Sequence, residues 1–290
     1  MQLKIAPDVI SGQDIATLTQ TASVRDAAHL MVERRIGAVP IIHEGRLEGI
    51  ITERDVSCRV VAPGLDPLTT TLFEVMTADP VTLRPDDTVL AALQTIHQGD
   101  YRHLPVLDDN SLVGIVSVRD IFACAKRQRE EEFKHLQADV ALNCKIVPDL
   151  VSGQEIATLE PGATVREAAQ LMAKRHIGAI LITHEGVLKG IFTERDVSLR
   201  VVATGLNPDE TLLSAVMTPD PITLGPGDGA LSALQSMLKG DYRHVPVLDQ
   251  ARLVGIVSIR DIYGCVETQL EEGFRQALQD RAWDMAGSDN

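Results

Sequence analysis

The spacing of apolar residues changes along the chain from helical to strand-like and back, and the same order returns four times. In the first copy, Ser23 precedes residues with helical spacing, which predicts a helix capped by that serine. The apolar positions of this helix are Val24, Ala27, Ala28 and Met31. Two short apolar runs, residues 38–42 and 47–51, follow on either side of Glu44-Gly45 and predict a hairpin.

A short strand is also predicted at residues 15–18, and a second helix is predicted from Thr52 through Val61. The second copy gives the same order of elements further along the chain. Its predicted strands are residues 81–83, 104–107 and 112–116, and its predicted helices are residues 88–98 and a segment from residue 118. The order strand, helix, strand, strand, helix predicts a mixed α/β (α+β) fold.

The chain is a repeat within a repeat. An offset of 141 residues carries Lys4 onto Lys145 and continues to Phe274 without an insertion or a deletion, and most aligned positions are identical. Within each half, a fainter offset of 65 residues carries Gly49 onto Gly114 and Gly190 onto Gly255. The chain therefore contains four repeats of about 60 residues, which must pack on one another to complete a core.

These repeats set the predicted domain boundaries. The four repeats are residues 1–62, 63–124, 145–203 and 204–265, with a helical connector at residues 125–144 and a C-terminal helix with a frayed tail at residues 266–290. The connector contains the charged run Arg129-Glu130-Glu131-Glu132, which is typical of a solvated helix face and is also compatible with a docking surface.

One polar pattern occurs in every repeat, at the junction between the last strand and the last helix. It consists of a glycine, two apolar residues, a hydroxyl residue, any residue, an arginine and an aspartate, at residues 49–55, 114–120, 190–196 and 255–261. Helix-start N–H groups and a hydroxyl attract phosphate oxygens, and arginine binds the same oxygens with a bidentate fork. A carboxylate accepts hydrogen bonds from ribose hydroxyls. The pattern therefore favours a nucleotide, although Thr/Ser-x-x-Asp is also an ordinary capping box.

The glycine, apolar, hydroxyl and aspartate pattern resembles the signature of the CBS domain family, and the resemblance covers nearly the whole chain apart from the connector and tail. It implies tandem CBS units paired into two Bateman modules, which commonly pack as a flat disk with clefts for adenosine nucleotides. The resemblance places four aspartates on ribose hydroxyls, namely Asp55, Asp120, Asp196 and Asp261. It places four hydroxyl residues on phosphate, namely Thr52, Ser117, Thr193 and Ser258.

Basic residues distinguish the second and fourth repeats from the other two. Arg102-His103 and Arg243-His244 precede a strand there, and the corresponding positions of the first and third repeats are Gly-Ala pairs. Related nucleotide sensors hold phosphates at such positions, so these four side chains, together with Arg119 and Arg260, are predicted phosphate ligands. The second and fourth sites rank highest, although Arg102-His103 could instead be a rim pair bonded to backbone or to Asp100. The third repeat has Ile180-Leu181 where the first has Val39-Pro40, which weakens the prediction for its cleft.

Composition excludes several other classes of protein. The 290 residues carry a formal net charge of −14 and 3% aromatic residues, which argues against nucleic acid or an anionic membrane surface as the main partner. No apolar window is long enough to span a membrane and no secretory leader is visible, so we expect a cytoplasmic protein. The four cysteines show no metal-ligand spacing and are predicted to be reduced thiols.

The sequence predicts a regulatory protein that is not an enzyme, because no metal, nucleophile or P-loop pattern occurs. Its ligand is predicted to be an adenosine nucleotide (AMP, ADP or ATP), which Mg²⁺ can accompany, and its effector a separate protein. The alternative is a scaffolding CBS protein without a physiological ligand. NAD, diadenosine compounds and S-adenosylmethionine carry the same adenosine half and stay open. The two modules can close on each other or on a second chain, which would make a homodimer.

Overall fold

A computed structural model describes residues 3–121, 124, 146, 150–262 and 264–265. Contacts divide the described residues into two bodies. The larger body comprises the described residues of Met1–Cys124 and Ala157–Pro221, and the smaller body comprises those of Ala125–Ile156 and Ile222–Asn290.

The elements of the larger body follow the predicted order. Its first two repeats contain α1 (Val24–Arg34), β1 (Ala38–His43), β2 (Arg46–Thr52), α2 (Glu53–Asp55), α3 (Leu72–Val75), β3 (Thr77–Ala78), α4 (Val89–Gln98), β4 (His103–Asp108) and β5 (Ser111–Ser117). The later part contains β6 (Thr158–Leu159), α5 (Val165–Arg175), β7 (Ala179–His184), β8 (Val187–Thr193), α6 (Glu194–Asp196), α7 (Leu213–Val216) and β9 (Thr218–Pro219). The predicted mixed fold of tandem repeats is confirmed.

Helix α1 forms where the apolar spacing predicts it. The Ser23 hydroxyl accepts a hydrogen bond from the Asp26 N–H at 3.1 Å, and the Asp26 carboxylate accepts one from the Ser23 N–H at 2.9 Å. This capping box satisfies two of the N–H groups left open at a helix start. The four predicted apolar positions of α1 are all fully buried. They pack with α5 and with the helical segments Val56–Val61 and Val197–Val202 in one hydrophobic core.

The segments that follow α2 and α6 are wound more widely than an α-helix. The N–H of Ala62 donates to the carbonyl of Ser57 at 2.9 Å, and the N–H of Ala203 donates to the carbonyl of Ser198 at 3.0 Å. These are π-type bonds between residues five apart. The second helix therefore extends to Val61 as predicted, but its winding was not visible in the apolar pattern.

Neighbouring repeats are joined through a shared sheet. Strand β3, at the entrance to the second repeat, pairs antiparallel with β2 of the first, with Ile50 opposite Thr77. Gly49 permits this close approach, because a Cβ at that position would lie 2.6 Å from Met76 Sδ and 2.9 Å from the Thr77 carbonyl oxygen. Strand β9 pairs with β8 in the same way, with Ile191 opposite Thr218. The sequence did not predict β3, β9 or the short helices before them.

The predicted leading strands are shorter than expected in the first two repeats. Residues 15–18 contribute a single parallel bridge, Leu18 to Ile41, and residues 81–83 contribute only Leu83 to Val106. The cause is the proline in the neighbouring strand of each repeat, which has no N–H to donate. In the third repeat Leu181 replaces that proline and donates to the Ala157 carbonyl at 3.1 Å. Strand β6 forms there, and the sheet becomes four-stranded in the order β6-β7-β8-β9.

The smaller body contains α8 (Ala230–Gly240), β10 (His244–Asp249) and β11 (Arg252–Ser258). Strands β10 and β11 form an antiparallel hairpin. The side chain of Gln154 covers the open edge of β11: its amide donates to the Ile256 carbonyl at 3.0 Å and accepts from the Ile256 N–H at 2.8 Å. In the larger body Gln13 makes the equivalent pair of bonds with Ile115, at 3.1 and 2.9 Å.

Several predictions fall outside the described residues. They are the helical connector at residues 125–144 and the C-terminal helix and tail at residues 266–290. Cys265 is disulfide-bonded, so the prediction that all four cysteines are reduced thiols is wrong for that residue. Cys58 and Cys124 form no disulfide bond. Among the described helices, none combines the length and the apolar character that crossing a bilayer requires.

Candidate functional site

The repeated strand-to-helix turn has the same local geometry in each repeat. In the first repeat, Asp55 Oδ2 accepts hydrogen bonds from the Thr52 N–H at 2.8 Å and from the Thr52 hydroxyl at 2.6 Å. The corresponding N–H bond is 2.9 Å at Asp120, 2.9 Å at Asp196 and 2.7 Å at Asp261. Each aspartate therefore caps its helix through one carboxylate oxygen, Oδ2. The other oxygen, Oδ1, decides what else the carboxylate can bind.

An arginine pairs with Oδ1 in the first and third repeats. Arg59 Nη1 lies 3.3 Å from Asp55 Oδ1, and Arg200 Nε lies 3.2 Å from Asp196 Oδ1. Arg59 also donates to the Val75 carbonyl at 2.9 Å and to Thr77 Oγ1 at 3.1 Å, so it joins the aspartate to β3. Asp55 and Asp196 are 7% and 9% exposed. In both carboxylates, Oδ2 therefore bonds the helix cap and Oδ1 pairs with an arginine, so both oxygens already have partners within the protein.

The second and fourth repeats differ at the position of that arginine. Four residues after Asp120 and Asp261 stand Cys124 and Cys265. Asp120 is half-buried and Asp261 is exposed. Within the part of the chain that the structure describes, the bonds of these two carboxylates go to Oδ2, from the serine that each one caps. No bond from a described residue to their Oδ1 atoms accompanies these.

Burial changes the acidity of the two committed aspartates. Desolvation raises the pKa of Asp55 and of Asp196 above the ordinary aspartate value of 3.8, and the hydrogen bonds from the cap and the arginine partner only partly oppose it. A buried carboxylate loses solvation when it ionises, which favours the protonated form. The cap hydrogen bonds and the arginine therefore stabilise the ionised aspartate, whereas its burial destabilises that form.

We expect the double substitution Asp55→Asn and Asp196→Asn to change how stability depends on pH. Because folding raises these pKa values, the two groups stabilise the fold fully below pH 3.8, and that contribution is lost as pH rises through the folded-state pKa. The free energy of unfolding of the wild type, relative to the double variant, should therefore fall as pH rises above 3.8, the unfolded-state value. Urea unfolding at a series of pH values measures this difference.

Asp26→Asn is the matched control, because the bonds from Ser23 lower the pKa of Asp26. Its contribution has the opposite sign: it is present above the unfolded-state pKa and is lost as pH falls. A wild-type advantage over the Asp55/Asp196 double variant that grew with pH would contradict the proposed role of burial.

Strand register brings the predicted phosphate residues together in the second and fourth repeats. His103 lies directly opposite Ser117 in the β4-β5 hairpin, and His244 lies opposite Ser258 in β10-β11. In the first repeat the residue opposite Thr52 is Ala38. The half-buried Arg119 and Arg260 each stand one residue before the aspartate of their helix start. A serine and a histidine thus lie opposite each other in each of these two hairpins, and an arginine stands two residues after the serine.

Arg102 has an internal partner. Its Nη1 donates to Glu194 Oε2, and the Glu194 side chain is only 2% exposed. Arg54 Nε lies 3.5 Å from Glu194 Oε1, and Arg54 Nη1 lies 2.6 Å from Asp100 Oδ2. Arg54 thus links Glu194 to Asp100, and the alternative in which Arg102 is a rim pair bonded to backbone or to Asp100 stays a prediction. The structure places Arg102 in an ion pair between the second and third repeats, and its role towards phosphate stays a prediction.

Three kinds of site residue were missed from the sequence. The arginines that pair with Asp55 and Asp196 were visible as an (i, i+4) acid–base spacing, which is typical of helical ion pairs. The edge glutamines were visible as the repeated triplet Ser-Gly-Gln at residues 11–13 and 152–154. The burial of Glu194 gave no local signal, because its partners are distant in sequence.

Comparison with known proteins gives the family. The CBS domain model matches four segments of the chain, residues 8–61, 72–126, 149–202 and 213–267. The chain belongs to the CBS domain family. The four matches coincide with the four CBS units expected from the repeated turn.

Curated relatives carry the same domain. CBS domain-containing protein CBSCBSPB3 of Arabidopsis thaliana is 29% identical over 262 residues, which are 81% of this chain and 47% of the relative. CBS domain-containing protein YhcV of Bacillus subtilis is 39% identical over 108 residues, which are 37% of this chain and 76% of the relative. The chain spans about half the length of CBSCBSPB3 and of CBSCBSPB2 from the same plant.

Two solved structures share the fold over most of the chain. Protein MJ1225 of Methanocaldococcus jannaschii superposes with a TM-score of 0.71 at 20% identity, covering 89% of this chain and 98% of that one. A conserved protein of Pyrococcus horikoshii gives a TM-score of 0.55 at 22% identity, covering 90% of this chain and 99% of that one. At these identities the likeness establishes the fold alone.

Proposed function

We propose that this chain is a non-catalytic regulatory protein that binds an adenosine nucleotide at the second and at the fourth CBS unit. The observation that carries the proposal is the state of the Oδ1 oxygens. Asp55 and Asp196 are occupied by arginine on that oxygen, whereas Asp120 and Asp261 carry cysteine at the equivalent position and offer the oxygen to a ligand. In two of the four repeated turns the protein's own arginine therefore occupies the aspartate, and in the other two the aspartate can bind a ribose.

The chemistry of the two open turns matches a nucleotide from sugar to phosphate. An ionised carboxylate accepts hydrogen bonds from both ribose hydroxyls, which are charge-assisted and stronger than neutral ones. Each serine hydroxyl lies across the hairpin from a histidine, His103 or His244. Together with Arg119 and Arg260 these groups supply donors for phosphate oxygens. AMP, ADP and ATP all present this combination, and an adenosine without phosphate presents only the sugar.

The ion pair of Arg102 suggests how binding is transmitted. A phosphate at the second CBS unit would compete with Glu194 of the third unit for the same guanidinium. A ligand shifts a conformational equilibrium only by its different affinity for the two states. A bound nucleotide phosphate would favour the state in which Arg102 leaves Glu194. Adenosine has no phosphate and would not shift this equilibrium. A separate effector protein that contacts these units would then distinguish nucleotide from nucleoside.

Native mass spectrometry followed by calorimetry tests the proposal. The protein is purified, any carried ligand is identified, and it is then denatured, refolded and titrated with adenosine, AMP, ADP and ATP. We expect saturable binding of two nucleotides per chain, tighter than adenosine and weakened by salt because partly exposed charge pairs are screened. Four equal sites would contradict the role given to Arg59 and Arg200. Absence of binding by every adenosine compound would leave capping as the role of the aspartates and favour a scaffolding protein.

A further inference from the structure

A cleft in the larger body is lined by residues outside the repeated turns. It is formed where the loop after the second helix of the first repeat meets the equivalent loop of the third repeat, and its volume is about 300 Å³. Its walls include the apolar residues Leu65, Leu68, Val202 and Leu206. Two arginines, Arg25 from α1 and Arg166 from α5, also line it. A cleft of this size suits a small molecule rather than a protein segment.

The two arginines occupy equivalent positions but differ in their partners. Arg166 forms a bidentate ion pair with Asp209, with Nη2 2.7 Å from Oδ2 and Nε bonded to Oδ1. Its Nη1 donates to the carbonyl of Val61. The Arg166–Asp209 pair raises the pKa of the guanidinium and lowers that of the carboxyl. On the side of the cleft that the third repeat forms, the arginine guanidinium is thus already paired with a carboxylate.

Arg25 has no such acid. The residue that corresponds to Asp209 in the first repeat is Leu68, which is 57% exposed. Across the residues that the structure describes, the Arg25 side chain makes neither a hydrogen bond nor an ion pair, although it is half-buried against Gly205. A guanidinium is always charged in proteins, and a partly desolvated charge gains from an anion with two coplanar oxygens. The position is the Arg166 site without its carboxylate.

We propose that this cleft binds a small organic carboxylate with a branched apolar body, through the Arg25 guanidinium. The ligand carboxylate takes the place that Asp209 occupies at Arg166, and its aliphatic part packs against Leu65, Leu68 and Leu206. This site is separate from the nucleotide turns and uses none of their residues. Asp66 also lines the cleft, and its Oδ1 accepts a hydrogen bond from the Leu68 N–H at 2.9 Å.

The charge of Asp66 distinguishes two sources of the same carboxylate chemistry. A plain fatty carboxylate would use Arg25 and the apolar wall only. A branched amino acid would add an ammonium that a nearby Asp66 could attract. Isocaproate and L-leucine share the same branched carbon skeleton and represent the two cases, and isocaproamide keeps that skeleton without the charge.

Ligand-observed NMR and calorimetry with the full chain test the proposal. We expect saturable binding of isocaproate or L-leucine to the wild type, at least about tenfold tighter than isocaproamide, because charge-assisted bonds are lost in the amide. Whichever of the two carboxylates binds more tightly shows whether Asp66 contributes. Equal binding of isocaproate and isocaproamide, or no saturable binding of either carboxylate, would overturn the proposal.

The repeat supplies its own matched variants. Leu68→Asp, at an exposed position, places a carboxylate where Asp209 stands in the third repeat and should abolish binding by pairing with Arg25. Arg25→Gln should abolish it as well. The exchange Leu68→Asp with Asp209→Leu should restore binding, now through Arg166. Circular dichroism checks that each variant is folded. Retained binding in Leu68→Asp or Arg25→Gln, or no restoration in the folded exchange variant, would overturn the assignment.

Discussion

Replacing Asp120 and Asp261 together by Ala is expected to weaken AMP binding by roughly ten- to hundredfold at each site, because each charge-assisted pair of ribose bonds contributes about 1.5 to 3 kcal/mol. The fold should survive the change, because the loss of one helix cap costs only about 1 kcal/mol per site. Calorimetry with AMP and with adenosine measures the effect. Both ligands should lose affinity to a similar extent, since both carry the ribose.

The matched control is the pair Asp55→Asn and Asp196→Asn. These residues belong to the same repeated turn, but their Oδ1 atoms are held by Arg59 and Arg200. We expect AMP affinity to change little in this control. If the control lost affinity as strongly as the Asp120/Asp261 variant, the nucleotides would be bound at all four turns and the distinction drawn from the arginines would fail.

Glu194→Ala is expected to lower the free energy of unfolding more than any other substitution proposed for this chain. The Glu194 side chain is 2% exposed and pairs with Arg102, which is 14% exposed, and with Arg54, which is 28% exposed. Removing one partner of a buried ion pair leaves the remaining charge poorly compensated, which costs about 3 to 5 kcal/mol. Urea unfolding should show this as a lower midpoint with an unchanged slope.

Asp100→Asn provides the comparison, because it removes the exposed partner of the same Arg54. The Asp100 side chain is 55% exposed. An exposed pair of this kind contributes at most about 1 kcal/mol. Equal destabilisation by the two substitutions would show that burial of Glu194 has no special weight, and the competition between Glu194 and phosphate for Arg102 would lose its basis.

The parts of the fold that the sequence predicts are those set by local spacing. Helix α1, the hairpins and the capped turns follow from apolar periods and from residues within four positions of one another. The leading strands were overestimated, because their pairing depends on whether the neighbouring strand offers an N–H, as Leu181 does and Pro40 does not. Strand β3 was missed because two residues, Thr77 and Ala78, carry too little pattern to be recognised.

The residues of the candidate site also fall into those that local sequence patterns indicate and those that only tertiary packing reveals. The carboxylates and hydroxyls could be located from the repeated motif, and the arginines that fill two of the four turns were readable from their spacing. The pairing of Arg102 with Glu194 was not, because the two residues stand far apart in the chain and only tertiary packing joins them. Likewise, the loss of an acid at Leu68 becomes meaningful only when the structure shows Asp209 bonded to Arg166.

The pairing of sheet edges between neighbouring repeats bears on which segment of the gene was duplicated. Strand β3 of the second repeat closes the edge of β2 in the first, and Gln13 from the start of the chain closes the edge of β5 in the second. A single repeat copied alone would expose an unpaired edge, which promotes aggregation. The smallest segment that could be duplicated with its edges covered is therefore a pair. The strong offset of 141 residues and the faint offset of 65 are the traces expected when a pair, already diverged within itself, was copied whole.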